Sequence, residues 1–159
     1  MRSLLLCIVL LPALFPLAAY SDDVSEREGW RVIHTELTYE ELLRTLRGAV
    51  SREGMGAVTD IGPTETAARR GVEIPGNRVI GVFRNDFAVR TLDASVAAMI
   101  EAPIRFYVTE ASDGNATLSW KTPGHVFAPY IDEGGAQLRE IAEELNAIFD
   151  RIGARATTN

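Results

Sequence analysis

Read for polarity alone, the chain opens with a block and continues as an alternation. Leu4 to Leu17 carry no charge. From Trp30 onward, apolar positions recur at spacings of two, or of three and four, the periods of strand and helix. WRVIHT over residues 30–35 is β-branched and aromatic and predicts a strand. Its alternation puts Ile33, Thr35 and Leu37 on one face and Trp30, Val32 and His34 on the other. Thr38 with Glu41 three residues later is a capping box. Leu42, Leu43, Leu46, Ala49 and Val50 follow at helical spacing, so a helix runs to about Glu53 and closes on Gly54.

A short strand is predicted over residues 56–61, then a small helical segment opened by Pro63 and Thr64 and ending near Gly71. Pro75-Gly76-Asn77 reads as a turn before an apolar strand over residues 78–83. Residues 86–99 read as helical or irregular, with a cap-like Asp93 or Ser95. Strands over residues 104–110 and 116–121 are joined by the turn Ser112-Asp113-Gly114-Asn115. Residues 122–135, rich in Pro and Gly, read as a loop. Leu138, Ile141, Leu145, Ile148 and Phe149 form the stripe of a last helix over residues 136–152, followed by a loose tail. Hairpin-joined strands with two long amphipathic helices predict an α+β fold, a two-layer sandwich with a mainly antiparallel sheet.

The opening block changes the compartment. Arg2 gives a short positive start, the apolar run is too short to span a bilayer comfortably, and Ala19-Tyr20-Ser21 places small residues at a cleavage site. Residues 1–21 therefore read as a signal peptide and the product as periplasmic or secreted. Residues 22–29 read as a disordered lead-in, residues 30–152 as one domain and residues 153–159 as a tail. Cleavage removes Cys7, the only cysteine, and with it any thiol redox or cysteine–metal chemistry. It leaves 15 basic against 22 acidic residues, with Lys121 the only lysine. That balance argues against nucleic acid, whose phosphates need a basic stripe. No stable membrane insertion is expected after cleavage.

The stretch TYEELLRTLRGAVSREGMGAVTDIG over residues 38–62 resembles the opening of the DUF302 family, bacterial domains of unknown function. APIRFYVTEASDGNATLSW over residues 102–120 is similar to that family's hairpin, and IAEELNAIFDRI over residues 141–152 to its final helix. The resemblance implies a compact α+β domain able to form a homodimer, with an exported subgroup. The chain departs from the pattern near residues 83–91, where Asn85-Asp86 stands in place of an Asn-Pro pair.

Candidate chemistry is sparse. There are two histidines, no Gly-x-Ser-x-Gly elbow and no Gly-x-Gly-x-x-Gly loop. Glu40-Glu41 fit a helix first turn, Asp132-Glu133 a polar loop, and Glu140, Glu143 and Glu144 a solvated helix face. The chain is therefore read as non-enzymatic. One arrangement stands out: the segment 123–130 sets His125 beside Phe127 and Tyr130 between two prolines. An imidazole among aromatics suits a haem pocket, with one axial nitrogen and a dry wall. Arg78 or Arg105 would pair with the propionates, and Met55 or Met99 would serve as a second axial ligand. His125 is a metal ligand only if haem is bound. His34 reads as a sheet histidine bonded to a neighbour. The expected function is a small exported binding domain for a hydrophobic cofactor such as haem. The alternative is a structural or assembly module acting through self- or partner-association.

Overall fold

The computed structural model describes residues 24–158. The signal-peptide reading over residues 1–21 lies outside them, as do Asp22 and Asp23. The element order is β1 (Trp30–Thr38), α1 (Tyr39–Arg52), β2 (Gly56–Ile61), α2 (Thr64–Ala68), β3 (Asn77–Phe83), α3 (Asn85–Ala94), a 3-10 turn (Ala97–Glu101), β4 (Ile104–Glu110), β5 (Asn115–Lys121), α4 (Pro123–Phe127), a second 3-10 turn (Ala128–Tyr130) and α5 (Ile131–Thr157). All strand pairs are antiparallel and the sheet order is β1-β5-β4-β3-β2.

One face of this sheet is covered and the other is open. Phe106 lies opposite Trp120 and Ile80, and Val108 opposite Leu118, which lies opposite Ile33. These residues point toward α1 and α5, whose buried stripes are Leu42, Leu43, Leu46 and Ile141, Leu145, Phe149. The arrangement is the expected α+β two-layer sandwich. The capping box of α1 is present: Glu41 N donates to Thr38 Oγ1 and Thr38 N to the Glu41 carboxylate. Gly114 holds φ +83° in the turn between β4 and β5, a backbone state that suits glycine at the predicted Asp-Gly position.

Two segments differ from the sequence reading. The stretch over residues 122–135 is largely helical. Thr122 Oγ1 accepts from His125 N, Pro123 occupies the first turn of α4, and Pro129 the first turn of the second 3-10 turn. Proline there loses no helical hydrogen bond and pre-sets φ, so it starts a helix rather than breaking one. The last helix also continues through Thr157, across the predicted tail. Gly153 and Ala156 are buried, and Thr45 Oγ1 donates to the Ala156 carbonyl at 2.8 Å. The buried stripe runs on through Ile152 and Ala156 against the rest of the core. The lead-in is likewise tied at its end: Trp30 N donates to the Arg27 carbonyl, and the Gly29 carbonyl accepts from Thr122 N.

Carboxylates fasten several of these junctions. Glu53, at the end of α1, accepts from Arg151 Nε at 2.8 Å and Arg155 Nε at 2.9 Å, and these bonds hold its carboxyl below the usual range. Arg47 and then Arg78 do the same for Asp60 on β2, and Arg90 for Glu144 on α5. A group whose folded pKa is depressed stabilises the fold above its unfolded pKa and loses that contribution as pH falls through the folded value. The melting temperature should therefore stay level from neutral pH to about pH 5 and fall below about pH 4. Glu53→Gln should make the acid limb shallower. A fall already complete at pH 6 would contradict this account.

Candidate functional site

The open face is built by alternate residues of four strands. Along one cross-strand row stand Val79, Tyr107, Ser119 and Val32; beside it run Asn77, Thr109, Thr117 and His34. Trp30 pairs with Lys121 at one end, next to Arg105 on β4. Small side chains fill the middle, so Thr117 and Ser119 are buried between larger neighbours. Ser119 Oγ has no hydrogen-bond partner among the described residues. His34 Nδ1 lies 3.1 Å from Thr117 Oγ1, the neighbour bond its strand position predicts.

A groove of about 550 Å³ runs over this face, lined by Trp30, Val79, Tyr107, Arg105, Lys121 and Glu101, with Asn77, Ile104 and Val126 at its sides. Its chemistry is mixed. Trp30 presents an indole with Lys121 Nζ 5.8 Å and Arg27 Cζ 5.0 Å from its ring centre. Asn77 Nδ2 donates to Tyr107 Oη at 2.5 Å, which fixes the phenol. Arg105 and Lys121 are exposed cations in a chain of net negative charge. Aromatic walls with a few fixed polar groups, in a cleft of a few hundred Å³, are what small-molecule sites share.

The three expected site residues do not face a common pocket. They lie on α4 and the turn after it, where residues two apart point to different sides. His125 is exposed, its ring packed on Gly29 so closely that a Cβ there would lie 2.1 Å from it. Phe127 is buried in the core. Tyr130 Oη donates to Glu101 Oε1 at 2.8 Å, a bond that raises the phenol pKa and anchors Glu101 at the groove rim. The intervening Val126 is the residue of α4 that reaches the groove. Of the expected propionate partners, Arg105 is on the open face. Arg78 is on the covered side, bound to Asp60 at 3.3 Å and to Glu65. Met55 and Met99 line a separate apolar cavity of about 40 Å³ with Phe127, too small for a porphyrin. Among the described residues no cluster of three or more His, Asp or Glu is placed to hold a metal ion.

A strand-helix-strand opening, a five-stranded antiparallel sheet and a long closing helix are now in view. The family profile of DUF302, a domain of unknown function, matches residues 31–155. The chain belongs to the DUF302 family. The fold is similar to the crystal structure of an uncharacterized conserved DUF302 protein from Bacillus stearothermophilus. That protein is 17% identical, with a TM-score of 0.69 over 83% of this chain and 100% of the other. No curated protein matches the sequence.

This DUF302 domain thus has its most developed surface where sequence reading placed little. The groove residues come from β1, β3, β4, β5 and the segments beside them, and no local window contains the set. One signal was available. In IRFYVTE the inward Ile104, Phe106 and Val108 leave Arg105 and Tyr107 pointing outward, a cation and an aromatic on a face with no helix to cover it.

Proposed function

We propose that this DUF302 domain is an exported, non-catalytic binding module, which holds an amphipathic anion with a flat apolar body on the open face of its sheet. The carrying observation is the groove of about 550 Å³ that sets Trp30 and Tyr107 beside Arg105 and Lys121. The indole and phenol faces bury a ring, and the two cations meet its acidic groups. Export rests on the pattern of residues 1–21. Ferric haem, a planar ring with two carboxylates, belongs to this ligand class.

The test is a titration of the processed protein with ferric haem and, separately, with the aromatic sulfonate 1-anilinonaphthalene-8-sulfonate, followed by tryptophan fluorescence and the Soret band. Both probes should bind saturably. Arg105→Glu with Lys121→Glu should weaken haem binding about tenfold or more, since charge-assisted hydrogen bonds contribute about 1.5–3 kcal/mol each. Both side chains are exposed, so the melting temperature should hold. A Soret band displaced by His125→Ala but not by His34→Ala would place the axial nitrogen on His125. Failure of both probes to bind would overturn the reading. So would a dimer, seen by sedimentation of the unliganded protein, that the double charge reversal dissociates; that result would assign the face to a second copy of the chain.

A further inference from the structure

β3 and β4 are antiparallel neighbours, so a turn of about two to five residues would suffice to join them. The chain spends residues 84–103 on the connection instead. A hairpin connection usually takes two to five residues, so one of this length is a structural unit in itself. This one folds as α3 and the first 3-10 turn across the end of the core, beside α5.

The inward side of the excursion roofs a chamber. Phe87 and Met99 form the cover, and Met55, Phe127 and Leu145 the floor, around about 40 Å³. Only Arg84 and Thr91 bring polar side chains to the lining, and the Arg84 guanidinium is already held by Asp86 at 2.7 and 3.0 Å. Walls mostly of carbon and sulfur offer water few partners, so an apolar guest displaces it readily. The lining forfeits dispersion contacts that an apolar guest would restore. Methionine, unbranched and polarizable, reshapes around such a guest.

The fastenings of the excursion lie outside the chamber. Arg90 binds Glu144 of α5 bidentately at 2.6 and 2.9 Å, Ser95 Oγ donates to Glu133 at 2.8 Å, and Glu101 accepts from Tyr130 at 2.8 Å. The Arg90 guanidinium also lies over the Phe87 ring, 5.4 Å from its centre, so that fastening is coupled to the roof. We infer that residues 84–103 cover a second binding site, which takes a small uncharged apolar molecule such as an aromatic hydrocarbon or a short alkyl chain. The chamber, partly open at its mouth, accommodates a guest of xenon size; a ring enters as the excursion swings away from α5. The chamber shares Ile104 with the groove, but the case for it rests on its own apolar lining and stands whether or not the groove binds an anion.

Methyl NMR of the processed protein tests it, with xenon and with toluene as probes. The methyl resonances of Met55 and Met99 should shift saturably with each, while those of Val79, in the groove, stay fixed. Glu133→Ala removes the bond from Ser95, at a residue outside the lining, and should speed toluene exchange several-fold with no change in the xenon shift. No saturable shift at either methionine, or a shift confined to Val79, would overturn the site. An unchanged exchange rate in Glu133→Ala would overturn the role of the excursion as its cover.

Discussion

Phe106→Ala should lower the unfolding free energy by about 3–5 kcal/mol, the range for a fully buried phenylalanine cut to alanine. Phe106 has no exposed surface. Its ring stacks on Phe149 of α5 at 4.7 Å and 14°, and tilts against Trp120 of β5 at 5.2 Å and 59°. It is therefore the contact through which the central strand meets the long helix and its neighbouring strand at once. The rings around it are rigid and the sheet is hydrogen-bonded, so the space left behind collapses poorly. Against a total of about 5–15 kcal/mol for a domain, the melting temperature should fall by about 10–20 °C. Phe106→Leu keeps most of the volume and should cost less than half as much. Thermal and urea unfolding measure both, and a loss below about 1 kcal/mol for the alanine variant would contradict this packing.

Gly153→Val should cost about 2–3 kcal/mol, and its sign depends on which of two effects wins. Replacing a helical glycine by another residue gains about 0.5–1 kcal/mol of helix propensity. A Cβ at position 153, however, would lie 2.4 Å from Trp120 Cη2 and 2.9 Å from Cζ3. Trp120 is 2% exposed and its indole packs against Phe106 at 5.2 Å, so it is hemmed in on the core side. Overpacking of this kind costs about 1–3 kcal/mol, and a β-branched side chain sits toward its upper end. The near-UV circular dichroism of Trp120 should change along with the melting curve. If residue 153 lay in a loose tail, valine there would change neither.

Gly153 marks where local reading of the chain stops. A glycine just after an apolar residue such as Ile152 is a common helix end, yet here the buried stripe continues to Ala156. The helix nevertheless runs on, because Trp120, 33 positions away in sequence, requires a residue without a side chain there. The prolines of residues 122–135 show the same limit. Proline is excluded from helix interiors but favoured in a first turn, and only the Thr122 cap distinguishes the two uses.

The periodic pattern by itself determined the five strands, the two long helices, the α1 capping box, the Asp-Gly turn, and the two faces of β1. These follow from near-neighbour geometry: alternation in strands, a 3.6-residue period in helices, a side-chain oxygen three residues from an amide. The alternation also read His34 as a sheet histidine bonded to a neighbour, which the structure shows to be Thr117. The tertiary structure alone decided the strand order, and with it the groove in which Trp30, Tyr107, Arg105 and Lys121 come together from positions up to 91 residues apart. It also separated His125, Phe127 and Tyr130, neighbours in sequence, onto different sides of one short helical turn. A sheet gathers residues across strands at about 4.8 Å spacing whatever their distance along the chain, whereas a helix parts residues two positions apart by more than a right angle.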